Sequence, residues 1–184
     1  AISVIPEEGT LLPETYTYVY GDTKNSILTR MEKSMVKVVT ELWEKRPSSV
    51  NYKDIREVII MASIIEKETA LPEERDRVAS VFINRLRIGM RLQTDPTVIY
   101  GLGESFDGNL RKKDLLTDTP WNTYTRVGLP PTAIAMPGKA SLLAAVQPAA
   151  SKALYFVARG DGSSHFSTTL DEHNRAVNKY QRGQ

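Results

Sequence analysis

Residues 53–69 read KDIREVIIMASIIEKET, and this stretch decides the fold of the chain. Apolar side chains fill most positions from Ile55 to Ile65, so a helix over Lys53–Glu68 has little polar surface. A helix that is apolar on nearly all sides is a buried helix. The segment Ala70–Pro72 ends it. We therefore predict a central buried helix that carries carboxylates at its C-terminal end.

Elements on both sides of this helix follow from periodicity and from turn-forming residues. The fold class predicted from them is α+β, with helices dominating and a small antiparallel hairpin beside them. The predicted elements are a strand over Glu14–Tyr20, helices over Ser26–Lys45 and from Pro72 to Gly89, a loop over Leu92–Thr97, a short helix around Val98–Tyr100, long ordered loops with short strands or turns over 104–137, a helix over Lys139–Val146, strands over Leu154–Ala158 and His165–Thr168, and a final helix over Leu170–Gln181.

Composition excludes several classes of protein. The chain has 184 residues, 41% of them hydrophobic and 25% charged, which is ordinary for a globular domain. It contains no cysteine and two histidines, so thiol chemistry is excluded and a His-rich metal site is unavailable. The net charge is +2, and the longest basic run is Arg111–Lys113. Nucleic-acid binding favours clustered positive charge, so we do not expect it.

The two glutamates of Glu66-Lys67-Glu68 are the most informative candidates for chemistry. Burial and the negative end of a helix dipole both favour a protonated carboxyl. A glutamic acid that is protonated near neutral pH is what general acid catalysis requires. The helical periodicity does not choose between them, although it slightly favours Glu66 as the more buried. The alternative is that either glutamate forms an ion pair with an arginine such as Arg75 or Arg85.

Several blocks together resemble the YceG-like family of endolytic murein transglycosylases, the MltG type. They occur in the family's order and cover nearly the whole chain. The matching blocks are Glu7–Gly9, Pro13–Tyr16, Ala62–Thr69, Ala79–Leu86, Leu92–Gly101, Asn122–Thr125, Gly128–Pro131 and Tyr155–Phe166.

The resemblance implies a catalytic acid. Other lytic transglycosylases end a buried helix with Glu-Ser, and Glu68-Thr69 resembles that pair. We therefore predict Glu68 as general acid and then general base, with Glu66 as second choice. The implied substrate is the peptidoglycan glycan strand, cut between N-acetylmuramic acid and N-acetylglucosamine. A 1,6-anhydro-muramic end would form without water, and such cleavage would limit the length of nascent strands. Neither a cofactor nor a metal is expected.

Residues of the matching blocks supply the predicted substrate contacts. Amide, hydroxyl and carboxylate groups could bind the hydroxyl and N-acetyl groups of the sugars, and aromatic rings could contact their faces. The predicted substrate-binding residues are Gln93, Thr94, Asp95, Tyr100, Asn122, Tyr124 and His165. We interpret His173 as a solvated helix residue.

The family resemblance also implies an architecture beyond these residues. Family members usually carry an N-terminal membrane helix and a LysM-like subdomain. We predict that residues 1–22 are an entry segment and residues 23–184 the catalytic domain. The expected location is the bacterial inner membrane, with the catalytic domain in the periplasm and membrane contact only through the anchor. Peptidoglycan synthases are possible partners, and no nucleic acid is expected.

Two other functions stay open at this stage. A true hydrolase would use Asp95 as the base that activates water. A non-catalytic cell-wall-binding module would use the glutamates structurally and bind glycan without cleaving it.

Overall fold

A computed structural model of the chain describes residues 5–68 and 71–183. These residues form seven α-helices, two short 3-10 helices and one two-stranded sheet. In chain order they are α1 (Lys24–Glu44), α2 (Ile55–Glu68), a 3-10 turn (Pro72–Glu74), α3 (Arg75–Arg87), α4 (Asp95–Leu102), a second 3-10 turn (Gly103–Ser105), α5 (Lys112–Leu116), α6 (Lys139–Val146), β1 (Tyr155–Ala158), β2 (Ser164–Ser167) and α7 (Leu170–Gln181). The predicted α+β class is confirmed.

Helix α2 lies at the centre of the core, as its apolar sequence predicts. Every side chain from Ile60 to Ile65 is buried, and the helix packs against α1, α3, α4 and α6. Ser63, the polar residue in that run, donates a hydrogen bond to the Ile60 carbonyl at 2.7 Å. Its hydroxyl also accepts one from the Ile134 N–H at 3.0 Å. Because this hydroxyl is paired on both sides, it does not weaken the buried helix.

The outer helices follow the sequence signals at their ends. Thr23 caps α1, where its hydroxyl accepts a hydrogen bond from the Ser26 N–H and the Ser26 hydroxyl accepts one from the Thr23 N–H. Thr169 caps α7 in the same way with Glu172. This reciprocal pairing satisfies N–H groups that a helix start otherwise leaves free. Helices α6 and α7 have the predicted bounds. No described helix combines the length and apolarity that crossing a bilayer demands.

The predicted strand over Glu14–Tyr20 is wrong. The segment is irregular, and Tyr18, Val19 and Tyr20 are 76%, 72% and 108% exposed. A strand needs a neighbouring strand for its backbone hydrogen bonds, and the described sheet pairs only β1 with β2. A turn and a side chain of α1 hold the segment instead: the Val19 N–H donates to the Asp22 carboxylate, and the Arg30 guanidinium donates to the Thr17 carbonyl.

Two predictions in the middle of the chain also need correction. Helix α4 begins at Asp95, inside the predicted loop, rather than near Val98. The 104–137 segment contains helix α5 and no strand. Helix α5 is short, and its start is marked only by the Arg111 N–H donating to Asp114 at 2.8 Å. Five residues are too few for a periodic signal.

The hairpin packs over one edge of the helical core. Strands β1 and β2 pair antiparallel, with Phe156 opposite Phe166 and Val157 opposite His165. The Phe156 ring meets Phe82 of α3 edge-on at 6.1 Å between centroids. Helix α7 packs on both strands. As a result, the end of α2, helix α3, the hairpin and α7 converge at one end of the domain.

The first described residues pack closely against the core through Gly9. Leu11 and Leu12 are buried, and the Leu12 N–H donates to the Met31 carbonyl of α1. Gly9 has a φ of +84°, and a Cβ at this position would lie 2.6 Å from Ile59 Cγ2 and 2.8 Å from Ala133 Cβ. Both the backbone conformation and the space therefore require glycine.

Gly9→Ala is expected to lower the free energy of unfolding by about 3 kcal/mol, because left-handed backbone strain and overpacking add. Gly160→Ala is the matched control, since Gly160 has a φ of +90° but nothing within 4 Å of its Cβ position. It should cost only about 1 kcal/mol. Urea unfolding of both variants measures the difference, and equal losses would show that the close approach at Gly9 is unimportant.

Candidate active site

A cleft of about 730 Å³ opens where the end of α2 meets α3, the loop before α4, the hairpin and α7. Both polar and aromatic side chains line it. The lining residues that carry the argument below are Glu68, Arg85, Gln93, Asp95, Tyr124, Tyr155 and His173. Of the predicted residues, the structure thus brings together Glu68, Gln93, Asp95 and Tyr124. Thr94 forms a hydrogen bond with Glu68.

Glu68 is the carboxyl that α2 delivers to this cleft. Its Oε2 accepts a hydrogen bond from the Thr94 hydroxyl at 2.5 Å. Burial raises the pKa of Glu68, and the nearby Asp95 adds to that rise. The Thr94 hydrogen bond and the charge of Arg85 lower it, but they do not cancel the effect of burial. Glu68 therefore favours the protonated form more than an exposed glutamate does. The hydroxyl of Thr69 lies outside the described residues.

Glu66 points to another part of the molecule. Its Oε2 accepts hydrogen bonds from the Gly138 N–H at 3.0 Å and the Ser141 hydroxyl at 2.6 Å. Gly138 is the N-cap of α6, and a carboxylate is favourable at a helix start. This pairing joins the end of α2 to the start of α6, which is a structural role.

Arg85 links two walls of the cleft. It is 8% exposed, and its guanidinium donates to the Leu154 carbonyl through Nε and to the Leu92 carbonyl through Nη1, each at 2.7 Å. Leu154 precedes β1, and Leu92 precedes the loop that holds Gln93 and Thr94. No described residue forms an ion pair with Arg85 within 4.0 Å. Its charge therefore acts on the cleft and on Glu68.

Asp95 and Tyr124 form a hydrogen-bonded pair at the rim. The Tyr124 hydroxyl donates to Asp95 Oδ1 at 2.6 Å. Burial and this hydrogen bond raise the pKa of Tyr124, so the phenol remains a neutral donor. Asp95 is the first residue of α4 and is exposed, which keeps it accessible to a ligand.

Gln93 has the only positive φ among the described non-glycine residues, at +50°. Such a conformation costs about 1 kcal/mol or more and is typical of functional sites. The Gln93 N–H donates to the Thr123 carbonyl at 3.2 Å, which helps to hold it. The exposed side chain of Gln93 faces the cleft.

Three predicted substrate-binding residues, Asn122, Tyr100 and His165, lie outside this cleft. Asn122 is fully buried, and its side-chain amide donates to the carbonyls of Leu115 and Thr117 at 3.2 and 2.7 Å. It therefore holds the loop after α5. Tyr100 contacts Trp121 in a tilted arrangement, with 5.5 Å between ring centroids and 59° between ring planes, in a separate cleft. The helical turn of α4 explains this placement, because residues five apart point to opposite sides.

The structure places the two histidines differently from the predictions made for them. His165 lies outside the Glu68 cleft, in a shallow pocket beside Tyr180. His173, which we predicted to be a solvated helix residue, lines the cleft and stacks on Tyr155 at 5.2 Å and 23°. Burial lowers the pKa of His173, as do the charges of Arg85 and His165, so its neutral form is favoured.

Sequence reasoning missed Arg85, Tyr155 and His173 as residues of the cleft. Arg85 and Tyr155 lie in blocks that resemble the family, which is the signal that could have found them. For His173 we find none, because α7 reads as an amphipathic surface helix. Within residues 5–68 and 71–183, no three acidic or histidine side chains cluster so as to hold a metal ion.

Fold and cleft together define a helix-rich α+β domain with a partly buried glutamic acid at the end of its central helix. A glutamic acid whose pKa is raised by burial is suited to general acid catalysis. The YceG-like family model matches residues 2–179, and the chain belongs to this family.

Relatives agree with this assignment. The chain is 42% identical over 177 residues to the endolytic murein transglycosylase of Bacillus subtilis, covering 95% of this chain and 48% of that protein. It is 30% identical to the endolytic murein transglycosylase of Streptococcus pneumoniae, covering 92% of this chain and 31% of that protein. A crystal structure of a yceG-like protein from Listeria monocytogenes superposes with a TM-score of 0.75 at 42% identity, covering 91% of this chain and 54% of that one. The chain thus spans about half the length of these relatives or less.

Proposed function

We propose that this domain is an endolytic lytic transglycosylase that cleaves peptidoglycan between N-acetylmuramic acid and N-acetylglucosamine. The observation that carries the proposal is Glu68 in the cleft, with its pKa raised by burial and its Oε2 bonded to Thr94. The names of the relatives support the substrate and the reaction.

Glu68 acts first as a general acid. Because the Thr94 hydroxyl donates to Oε2, Oε1 is the oxygen that carries the acidic proton. That proton passes to the glycosidic oxygen, and the bond from C1 of the muramic acid to this oxygen breaks. The 2-acetamido group of the same sugar meets the positive charge that develops at C1, as in other substrate-assisted cleavages.

Glu68 then acts as a general base. Its carboxylate, now ionised, accepts the proton of the C6 hydroxyl of the same muramic acid residue. The C6 oxygen attacks C1 and closes the 1,6-anhydro ring. No water is consumed, and the carboxyl returns to its protonated state for the next turnover. Between the two steps Glu68 is ionised. Its carboxylate is stabilised by the Thr94 hydroxyl and by the charge of Arg85, both of which lower the pKa of Glu68.

A hydrolase is the second candidate, and one observation favours it. Asp95 lies in the same cleft and is close enough to raise the pKa of Glu68. An inverting glycosidase uses such a second carboxylate to activate water. The Tyr124 hydroxyl already occupies Asp95 Oδ1 with a hydrogen bond, so this oxygen is not free to hold an attacking water, which supports the transglycosylase instead.

Mass spectrometry of the soluble products separates these candidates. Purified peptidoglycan would be digested in water labelled with a heavy oxygen isotope. A transglycosylase yields anhydro-muramic ends without label, whereas a hydrolase yields reducing ends that are heavier by one labelled water. Glycan binding without any product would support a wall-binding module and contradict both enzymatic proposals.

The proposed substrate also indicates where the domain acts. Murein lies outside the cytoplasm, so we propose that this domain acts there. Its attachment to the inner membrane, its periplasmic location and its contact with peptidoglycan synthases remain predictions. Cleavage within strands, which limits nascent strand length, is proposed from the names of the relatives.

A further inference from the structure

Thr94 belongs to a cluster of three buried threonines at the start of α4. Thr94, Thr97 and Thr123 are 2%, 0% and 2% exposed. The Thr94 N–H donates to Thr123 Oγ1 at 3.1 Å, and Thr97 Oγ1 donates to the Thr94 carbonyl at 2.7 Å. The hydroxyls of Thr97 and Thr123 are 2.8 Å apart. These contacts close a loop of hydrogen bonds, here called the threonine ring.

The direction of each hydrogen bond in the ring follows from counting protons. A hydroxyl has one proton to donate. Thr97 uses its proton on the Thr94 carbonyl, which can only accept. In the contact between the two hydroxyls, Thr123 must therefore donate and Thr97 must accept. Thr123 is thus an acceptor toward Thr94 and a donor toward Thr97, and its single proton is used within the ring.

The ring leaves the Thr94 hydroxyl free for Glu68. Thr94 is the N-cap of α4, where a threonine hydroxyl usually accepts from an N–H of the first turn. Here it makes no such capping bond. The Thr97 N–H pairs instead with the Thr94 carbonyl at 3.2 Å, and the Thr94 hydroxyl donates to Glu68. The Thr94 hydroxyl therefore does not cap α4 but donates its hydrogen bond to Glu68 in the cleft.

Thr123 also holds the strained residue before Thr94. The Gln93 N–H donates to the Thr123 carbonyl, and the Thr94 N–H donates to the Thr123 hydroxyl. Two consecutive N–H groups of the loop are thus fixed by a single residue. Gln93 has a φ of +50°, a conformation that persists only when its surroundings hold it.

We propose that Thr123 is a positioning residue of the active site, which acts through the threonine ring to hold the Thr94 hydroxyl against Glu68. It touches neither the carboxyl nor, in our scheme, the substrate. The inference rests on the proposed function for its effect on cleavage. Its effect on the titration of Glu68 does not depend on that function.

The expected effect on Glu68 has a definite sign. Thr94 lowers the pKa of Glu68, so a displaced Thr94 hydroxyl leaves that pKa higher than in wild type. The other titratable groups that line the cleft around Glu68 are Arg85, Asp95, Tyr124, Tyr155 and His173. The hydrogen-bond partners of the Thr123 hydroxyl are Thr94 and Thr97, so a substitution there removes no hydrogen bond of these groups.

Thr123→Val tests the proposal, because it keeps the shape and removes both hydrogen bonds of the hydroxyl. The pKa of Glu68 would be measured from its side-chain carboxyl carbon by NMR titration, with the signal identified by its absence in Glu68→Gln. We expect a higher midpoint in Thr123→Val and a wild-type midpoint in Thr123→Ser. Cleavage should fall about 10- to 100-fold in kcat with little change in KM, as for a small misplacement of a reacting group.

Ser63→Ala is the matched control. Ser63 also has a buried hydroxyl that accepts from a backbone N–H and donates to an oxygen, but it lies outside the cleft. This variant should lose stability while keeping the Glu68 midpoint and the kcat of wild type. If Thr123→Val does not fold, Thr97→Val carries the same expectation, because it removes the other hydroxyl of the ring.

The outcomes separate the two proposals. A Glu68 midpoint that stays at the wild-type value in folded Thr123→Val would overturn the positioning role. A raised midpoint together with wild-type protein that yields no cleavage product would support the positioning role and refute the transglycosylase. A raised midpoint that Thr123→Ser does not restore would also overturn it, because the serine keeps both hydrogen bonds.

Discussion

Glu68→Gln is expected to abolish glycan cleavage, with a loss of roughly 10³-fold or more, while the domain remains folded. General acid catalysis contributes about 10²- to 10⁴-fold, and in the proposed scheme the same carboxyl also acts as base in the second step. Glutamine keeps an oxygen that can accept the hydrogen bond of Thr94 but has no acidic proton. Quantifying anhydro-muramic products by mass spectrometry measures the effect.

The stability of this variant should change in the opposite direction to its activity. Burial raises the pKa of Glu68, so the ionised form destabilises the folded state above the ordinary carboxyl pKa of about 4. Wild type therefore loses stability from this group as the pH rises from that value toward the folded pKa. Glu68→Gln should be more stable than wild type at neutral pH, and the difference should vanish at acid pH. Thermal melts at several pH values test this sign.

Glu66→Gln is the matched control, because it makes the same change two residues earlier on α2. Glu66 holds the Gly138 N–H and the Ser141 hydroxyl, outside the cleft. We expect nearly full activity and a loss of about 1 kcal/mol in the free energy of unfolding, since the hydrogen bonds lose their charge. Loss of cleavage in Glu66→Gln alone would move the acid two residues upstream and contradict the assignment of Glu68.

Arg85→Met is expected to lower the free energy of unfolding by about 3 kcal/mol. It removes the donors to the Leu92 and Leu154 carbonyls and leaves both acceptors in the interior without their partner. For a domain of this size the melting temperature should fall by roughly 6–12 °C. Arg87→Met on the exposed side of the same helix should change it little.

Arg85→Met should also shift the pH profile of cleavage. The charge of Arg85 lowers the pKa of Glu68, so its removal raises that pKa. The acid then stays protonated to higher pH, and the alkaline limb of kcat/KM should move upward. A lower melting temperature with an unmoved alkaline limb would show that Arg85 holds the two walls together without acting on Glu68.

Much of the fold could be predicted because local signals agreed with tertiary packing. Helix α2 is apolar around its circumference, so any fold had to bury it. Helix α7 has the predicted bounds because the Thr169 capping box marks its start, and α6 has them because it directly follows the turn formers Pro137 and Gly138. The Glu14–Tyr20 segment has the composition of a strand, yet the described residues offer it no neighbouring strand, and composition carries no information on that.

The candidate site could be predicted only in part. Glu68, Gln93, Asp95 and Tyr124 do line one cleft. Asn122 and Tyr100 come from the same blocks, but the turn of α4 and the loop after α5 direct their side chains elsewhere. His173 reaches the cleft because α7 packs across the hairpin, a tertiary contact that helical periodicity does not reveal.

The sequence by itself determined a buried helix, the carboxylates at its end and the family to which the chain belongs. These follow from side-chain hydrophobicity and from local order along the chain. The family resemblance favours Glu68, but only the tertiary structure shows that the two glutamates have different surroundings, because the periodicity of α2 places both near the core. Packing of α6 against α2 brings Gly138 and Ser141 to Glu66, and the loop before α4 brings Thr94 to Glu68. The proton affinity of a carboxyl depends on such neighbours, and they come from distant parts of the chain.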